Sequence, residues 1–351
     1  MLSFNKQIKI QDSLISPDTK SFIIAEAGVN HNGEMKLAKQ LVDIAFEAQV
    51  DAVKFQSFKT ESLILKSVEK AAYQKETTGS DASQFEMLKK LEFSVDQMAE
   101  LQNYCTQKGI VFLTTPFDED SLQELDALNL PAYKISSTDL TNISFVTKVA
   151  EKGKPFILST GMSYMEEISE VLAAVETINQ NVILLQCTGN YPTEPSEVNL
   201  NVLETYQKEF DMLIGFSDHT AGIGASPYAV AKGSKVIEKH FTIDKNMDGP
   251  DHRASLDPVE LTQLVKEIRM VESYMGSATK SPTATEEGTR NLLQKCLVAS
   301  KNITKGDVFS PDNIISKRTG GEGIPAFKYN DIIGKIACDI FYKDDIITLE
   351  P

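Results

Sequence analysis

Two histidines, His219 and His240, each stand at the end of an apolar, strand-like run that closes on polar residues. The segment between them has room for one helix and its turns, which is the length of a crossover between parallel strands. Neighbouring parallel strands would bring both imidazoles to the same edge of a sheet. A single histidine in a protein is more often an ordinary hydrogen-bonded residue than a metal ligand. Two histidines at the same edge of a sheet, beside acidic and hydroxyl residues, predict a divalent metal site.

Other strand-like runs in this chain also end on residues that can do chemistry. Glu26 closes the first of them and is a candidate general acid or base. Two lysines and three hydroxyl residues form a positive, donor-rich set: Lys54, Lys134, Thr115, Ser137 and Ser217. Such a set suits a phosphate or a carboxylate. Two imidazoles would leave coordination positions for water and a substrate oxygen, which is typical of Mn²⁺ or Mg²⁺ acting as a Lewis acid.

Some of these residues, and the glycines beside them, are also compatible with three other kinds of site. Gly28 and Gly33 have the spacing of a nucleotide-binding loop, but no Lys-Ser/Thr pair follows them. Residues 217–219 have the composition of a hydrolase triad, yet adjacent residues cannot form its relayed geometry. Lys54 or Lys134 could instead form a Schiff base, as in an aldolase, and this alternative stays open.

The elements that must position these residues follow a regular rhythm. Eight short β-rich runs alternate with helical patterns: residues 22–26, 52–56, 111–115, 133–136, 156–160, 182–187, 213–217 and 235–240. This alternation predicts a (β/α)8 TIM barrel, whose active face lies at the carboxyl ends of the strands. A doubly wound open sheet is the alternative, but its glycine fingerprint is missing. The long connection 57–109 is expected to shape the mouth of the barrel.

The two ends of the chain differ from this central part. Residues 8–10 are expected to open a short N-terminal hairpin that turns through residues 16–18. We expect the barrel domain to span residues 1–275, and residues 276–290 have the composition of a linker. Short β-like runs and turns in residues 291–351 predict a small β-rich second domain.

The composition argues against a nucleic-acid-binding, secreted or membrane-spanning protein. The 351 residues carry a formal net charge of −15, so we expect no nucleic-acid partner. Four cysteines form no CxxC pair, which is typical of reduced thiols in the cytoplasm. We expect neither a signal peptide nor a membrane span, because no sufficiently long apolar run occurs.

Nine short motifs together resemble those of the bacterial sialic acid synthase family, which includes N-acetylneuraminate and legionaminic acid synthases. They lie at residues 26–33, 53–56, 115–117, 133–135, 159–162, 190–192, 215–219, 238–241 and 249–252. Residues 317–320 resemble the end of that family's antifreeze-like (SAF) domain. The resemblance covers nearly the whole chain, and the motifs are separately placed and in order.

The resemblance implies an enzyme that condenses phosphoenolpyruvate with an N-acetylated hexosamine, releasing phosphate and making a nine-carbon 2-keto sugar acid. It implies that His219 and His240 hold a divalent metal, Mn²⁺ above Mg²⁺ or Co²⁺, and that Glu26 is the catalytic acid or base. The implied phosphoenolpyruvate ligands are Lys54, Thr115, Lys134, Ser137 and Ser217. The implied sugar contacts are Gln56, Asn190, Tyr191, Asp251 and Arg318.

The resemblance also implies a homodimer in which each small domain covers the partner's barrel and presents Arg318 there. The sequence departs from the family at Thr319, where proline is frequent, and at Gly189, where some members have asparagine. N-acetylmannosamine and its 2,4-diacetamido-6-deoxy relative therefore both stay open as substrates. A sugar- or ice-binding protein is the non-enzymatic alternative, but a scaffold barrel would need none of the strand-end residues.

Overall fold

The computed structural model describes residues 2–70 and 83–350. These form two compact units, Met1–Gly276 and Ser277–Pro351. Helix α11 (Ala284–Leu293) begins in the stretch 276–290, which has the composition of a linker, and extends past its end. A capping box between Thr283 and Glu286 stabilises the start of this helix. Each unit has its own core.

A parallel sheet of eight strands forms the centre of the first unit. The strands are β3 (Phe22–Gly28), β4 (Ala52–Ser57), β5 (Val111–Pro116), β6 (Tyr133–Ile135), β7 (Phe156–Ser159), β8 (Val182–Cys187), β9 (Leu213–Asp218) and β10 (Val236–His240). Their order is β5-β4-β3-β10-β9-β8-β7-β6. Strands β5 and β6 lie side by side and bring the two ends of the sheet together. The predicted (β/α)8 barrel is therefore confirmed, and the open doubly wound sheet is wrong.

Helices follow most strands and cover the outside of the barrel. They are α1 (Met35–Glu47), α2 (Thr60–Leu63), α3 (Gln84–Leu91), α4 (Val95–Lys108), α5 (Glu119–Glu124), α6 (Ile143–Glu151), α7 (Met165–Glu176), α8 (Val202–Glu209), α9 (Ser226–Ala231) and α10 (Pro258–Met275). Helix α4 shows how the sequence sets its ends. Ser94 and Gln97 form a capping box, and Gly109 ends the helix at φ +79°, a conformation that glycine adopts without strain.

Alternate residues of each strand face opposite sides of the sheet. Ile24, Ala52 and their counterparts pack inside the barrel, whereas Ile23 and Val53 pack against the helices. The hairpin of β1 (Ile8–Ile10) and β2 (Ser13–Ile15) contributes to the inner core and so closes one end of the barrel.

The N-terminal hairpin was predicted, but the predicted position of its turn, residues 16–18, was wrong. The chain reverses at Gln11 and Asp12, with Gln11 at φ +53°, and residues 16–19 form a separate turn. The hairpin register pairs Ile10 with Ser13, which leaves only two residues for the loop.

The long connection 57–109 contains α2, α3 and α4, and residues 71–82 of it lie outside the described part. Val29, Phe58, Met87 and Leu91 form a small apolar cluster under this connection. It is therefore held to the barrel by its own packing. None of the helices in the described ranges has the length and apolar character that crossing a membrane requires.

The second unit is small and rich in turns. Strands β11 (Lys295–Ala299) and β12 (Ile314–Arg318) pair antiparallel, and a short helix α12 (Tyr329–Ile332) follows. Leu297, Phe309 and Phe341 are among the residues of its buried core. The predicted β-rich character is confirmed.

Candidate active site

Each polar residue of the site lies two positions after an inward-facing apolar residue of the same strand. In β4, Ala52 faces the interior and Lys54 follows two residues later; in β3, Glu26 follows Ile24 in the same way. Because side chains alternate along a strand, both polar residues point into the barrel. The same step leads from Val236 to Glu238. A ring of polar groups therefore lies on top of the apolar interior.

These groups line a cavity of about 320 Å³ at the carboxyl ends of the strands. It brings together most of the residues singled out in the sequence: Glu26, Lys54, Gln56, Thr115, Lys134, Ser137, Tyr191, Ser217, His219 and His240. The predicted catalytic, anion-binding and metal-binding sets thus share one cavity. A scaffold barrel would not require this arrangement.

Two acids and two lysines form a buried charge cluster at the bottom of the cavity. Lys54 Nζ lies 2.6 Å from Glu26 Oε2 and 3.7 Å from Glu238 Oε2, and it donates to Thr115 Oγ1 at 3.0 Å. Lys134 Nζ lies 3.5 Å from Glu238 Oε1. When all four groups are ionised, the two positive charges match the two negative ones, and each has a partner of opposite sign, as buried charges require.

The two acids of this cluster differ in their pKa. Burial raises the pKa of Glu26 to about 7, although Lys54 opposes the shift. Glu238 is buried as well, but Lys134 and Lys54 outweigh the cost of burial and lower its pKa to about 2. Glu26 can therefore exchange a proton near neutral pH, whereas Glu238 stays ionised.

The pKa values of the two lysines also diverge. Burial acts against both ammonium groups, but Glu238 and Glu26 raise the pKa of Lys54 above its ordinary value. The pKa of Lys134 is lowered by burial, which Glu238 opposes. Lys54 is thus the more firmly charged of the two, and an anion in the cavity would strengthen the charge on Lys134.

The two predicted metal ligands lie side by side, with ring centroids 5.7 Å apart. His219 Nδ1 lies 2.7 Å from the carbonyl oxygen of Thr188, so this nitrogen carries the proton and Nε2 presents its lone pair. The Tyr191 hydroxyl donates to that Nε2 at 2.8 Å. His240 is buried, and its Nδ1 has no hydrogen-bond partner.

These imidazoles fit a metal ion as a pair of ligands rather than as a complete cage. Burial lowers the pKa of His240 well below its ordinary value, and a neutral imidazole is the form that coordinates metal. No cluster of three or more histidine, cysteine or acidic side chains suited to a metal occurs within residues 2–70 and 83–350. Two imidazoles leave coordination positions for water and substrate oxygens.

Three predicted sugar contacts do not line this cavity. Asp251 lies beside it, where burial raises its pKa to about 6. Asn190 is exposed and donates to Glu197 at 3.2 Å in an adjoining cavity. Arg318 ends β12 in the second unit and is exposed there.

Glu238 and Ser159 line the cavity as well, although they were not among the predicted site residues. Glu238 contacts both lysines and accepts from Ser217 Oγ at 3.0 Å. Ser159 is buried at the cavity wall, and its hydroxyl has no hydrogen-bond partner. Ser159 is the last residue of β7, and Glu238 lies two residues before the end of β10, so their positions near strand ends were a signal. Sequence position does not tell which strand-end residue pairs with a lysine or faces an open cavity.

The chain is similar to known proteins along nearly its whole length. Residues 41–280 match the NeuB family, and residues 294–350 match the SAF domain. An N,N'-diacetyllegionaminic acid synthase of Campylobacter jejuni is 45% identical over 331 residues, which is 93% of this chain and 99% of that protein. The N-acetylneuraminate-9-phosphate synthase of Homo sapiens is 38% identical over 331 residues, 94% of this chain and 92% of that protein.

A solved structure shares the same architecture. The N-acetylneuraminic acid synthetase of Leptospira borgpetersenii, in complex with citrate, superposes with a TM-score of 0.73 at 31% identity and covers 83% of this chain and 98% of that chain. The family match spans most of the barrel, and the relatives extend over nearly the full length. The chain therefore belongs to the NeuB family and carries a SAF domain in its C-terminal unit.

Proposed function

We propose that this protein condenses phosphoenolpyruvate with an N-acetylated hexosamine and water, giving a nonulosonic acid of the sialic type and phosphate. The observation that carries the proposal is the single cavity in which two lysines, an acid with a pKa near neutrality and two imidazoles meet. Family membership supports it, since the relatives described above are synthases of nonulosonic acids by name.

Lys54 and Lys134 are the groups that bind the anionic donor in this proposal. Phosphoenolpyruvate carries a phosphate and a carboxylate, and both bind well to buried ammonium groups and hydroxyls. Thr115, Ser137 and Ser217 lie on the cavity wall beside the lysines. We add Ser159 to this set, because its buried hydroxyl is free to donate to a phosphate oxygen.

Glu26 is the proposed catalytic acid and base. C3 of phosphoenolpyruvate attacks the aldehyde carbon of the open sugar, and the aldehyde oxygen takes a proton from Glu26. Water then adds to C2 and returns a proton to the Glu26 carboxylate. The tetrahedral adduct breaks the C2–O bond to the phosphoryl group, the proton of the new C2 hydroxyl leaves with the phosphate, and C2 becomes a ketone. A group with a pKa near 7 is suited to both proton transfers.

We propose His219 and His240 as ligands of a divalent cation, Mn²⁺ above Mg²⁺ or Co²⁺. When bound, the cation would polarise the aldehyde carbonyl of the sugar. Binding to His219 would replace the Tyr191 hydroxyl at Nε2. Gln56 donates to Glu26 at 3.2 Å and is thereby held beside the reacting atoms.

We also propose a homodimer in which Arg318 of one subunit acts at the barrel of the other. This rests on the family resemblance and on the exposed position of Arg318 at the end of β12. A planar guanidinium can donate to the carbonyl of an acetamido group. Two-fold symmetry would make the exchange reciprocal.

Phosphate release from phosphoenolpyruvate, measured against a panel of N-acetylated hexosamines, tests the proposal. We expect release that depends on one acceptor, with one sugar acid formed for each phosphate. Borohydride treatment with a keto substrate tests the rival Schiff-base mechanism. A covalent adduct on Lys54 or Lys134 would favour the aldolase and contradict the condensation.

A further inference from the structure

Lys239 directly precedes His240 in β10, and its ammonium group contacts the residues on both sides of His219. Lys239 Nζ lies 3.1 Å from Asp218 Oδ1 and donates to the carbonyl oxygen of Thr220 at 2.7 Å. We propose that Lys239 is a positioning residue, which fixes the His219 imidazole relative to that of His240 so that both can bind one divalent cation. The inference rests on the proposed metal binding and extends it to a residue that does not itself reach the cavity.

The sheet holds the two histidines to different degrees. His240 is the last residue of β10 and pairs with Glu26 of the neighbouring strand β3. His219 lies one residue beyond the end of β9, whose last pair with β10 joins Asp218 and Lys239. The sheet therefore fixes His240 directly, whereas the position of His219 depends on the turn that follows β9.

The Asp218 carboxylate organises that turn. Its Oδ1 accepts from the backbone N–H of Thr220 at 2.9 Å and from the hydroxyl of the same residue at 2.6 Å. Its Oδ2 accepts from the backbone N–H groups of Ala225 and Ser226 at 3.1 and 3.0 Å, and from the Ser226 hydroxyl at 2.7 Å. Both ends of the turn are thus attached to one carboxylate, and His219 stands between them.

Lys239 supplies the positive charge that this buried carboxylate requires. Only 2% of the Lys239 side chain and none of the Asp218 side chain is exposed. The third contact of the ammonium group is the Thr220 hydroxyl at 3.3 Å, so each of its three N–H groups has an acceptor. A buried polar network in which every member is satisfied is rigid. Lys239 therefore holds the turn from behind the cavity, because its neighbours in β10 face the opposite side of the sheet.

The position of this network predicts which ligand depends on it. The proposed phosphoenolpyruvate ligands Lys54 and Ser217 lie within paired strands, so hydrogen bonds of the sheet hold them. His219 lies outside the strand and depends on the turn. Loss of the Lys239 charge should therefore weaken metal binding and spare the binding of phosphoenolpyruvate. Residues that orient a metal ligand from outside the coordination sphere typically change metal affinity by about 10–100-fold.

Titration with Mn²⁺, followed by electron paramagnetic resonance of the free ion, tests the assignment. His219→Ala gives the background of Mn²⁺ that binds elsewhere on this acidic chain. Lys239→Met removes the charge and keeps an unbranched side chain. We expect the Kd for Mn²⁺ to rise about tenfold in K239M, and the Kd for phosphoenolpyruvate, measured by calorimetry without metal, to stay unchanged. Equal Mn²⁺ affinities of the wild type and K239M would overturn the inference.

A matched variant at the other end of the barrel controls for loss of stability. Arg269→Met also replaces a cation by methionine, and it breaks the ion pair in which Arg269 Nη2 lies 3.2 Å from Asp51 Oδ2, directly before β4. All affinities are measured below the melting temperature of every variant. R269M should melt at a lower temperature and bind Mn²⁺ as the wild type does. An equal loss of Mn²⁺ affinity in R269M and K239M would show that destabilisation alone suffices, and would overturn the inference.

A milder variant covers the case in which K239M does not fold. Thr220→Val removes the hydroxyl that donates to Asp218 and leaves both charges of the ion pair in place. It should bind Mn²⁺ more weakly than the wild type, and equal affinity would overturn the inference.

The outcomes separate this inference from the metal proposal beneath it. Loss of Mn²⁺ binding in H219A with full binding in K239M would leave the two histidines as ligands and overturn the role of Lys239. Equal binding by the wild type and H219A would overturn both. A loss in H219A and K239M that spares R269M supports both.

Discussion

The Glu26 carboxylate and the Lys54 ammonium form a buried ion pair, with 2.6 Å between Oε2 and Nζ. Lys54 is also a proposed ligand of phosphoenolpyruvate, so the acid and the substrate compete for one ammonium group. The competition depends on pH, because burial raises the pKa of Glu26 to about 7.

The first prediction concerns the affinity for phosphoenolpyruvate. Below pH 7 Glu26 is protonated and leaves Lys54 to the substrate; as the pH rises through about 7 the carboxylate forms and binding weakens. Calorimetry from pH 6 to pH 8 should show a loss of about tenfold for the wild type beyond that of Glu26→Gln. The variant stays neutral and reports the titration of the substrate itself. Parallel curves for the two proteins would contradict the pairing.

The second prediction concerns Glu238, which lies between the two lysines. Glu238→Gln leaves a buried ammonium uncompensated and should lower the free energy of unfolding by about 3–5 kcal/mol. Phosphoenolpyruvate should raise the melting temperature of this variant more than that of the wild type, because it restores negative charge. Glu204→Gln breaks the exposed pair with Lys232 and should leave the free energy of unfolding nearly unchanged, because solvent screens such pairs. Similar losses in both variants would disprove the role of Glu238.

A third prediction follows from the two imidazoles. Removal of metal by a chelator should abolish turnover, and Mn²⁺ should restore it. His219→Ala should lose turnover and retain its fold, because His219 lies at the rim of the barrel and not in its apolar core. Circular dichroism serves as the control for folding. Full turnover by a sample shown to contain no metal would refute the assignment.

The fourth prediction tests the exchanged Arg318. Glu26→Ala and Arg318→Ala should each be nearly inactive alone. After subunits are mixed and re-paired, roughly a quarter of wild-type turnover should return, because half of the dimers are mixed and each has one complete site. Mass analysis must show that mixed dimers formed. Their inactivity would mean that Arg318 acts on its own barrel or has no role.

The barrel was predictable because each strand is a run of apolar residues followed by polar ones. An inward apolar residue such as Ala52 and the Lys54 two positions later obey the same alternation, so strand assignment alone places the lysine in the cavity. The N-terminal hairpin was harder, since its two-residue loop at Gln11 and Asp12 lacks the glycine that marks such turns.

Pairings between side chains were less predictable than positions. The sequence does not tell that Glu238 contacts two lysines, because that depends on the curvature that brings β4, β6 and β10 around one cavity. Asn190 lies on the adjoining cavity, because β8 ends at Cys187 and the chain then turns toward that cavity. Its contact with the sugar stays a prediction. Motif spacing does not show on which side of a wall such a residue lies.

The most direct test of the proposed reaction follows one oxygen atom. Phosphoenolpyruvate labelled with ¹⁸O in the bridging C–O–P position is incubated with the enzyme, a divalent cation and an accepted N-acetylated hexosamine, and both products are analysed by mass spectrometry. The proposed mechanism breaks the C2–O bond, so the label should leave with inorganic phosphate and be absent from the sugar acid. Label retained in the sugar acid would show cleavage of the P–O bond and contradict the mechanism.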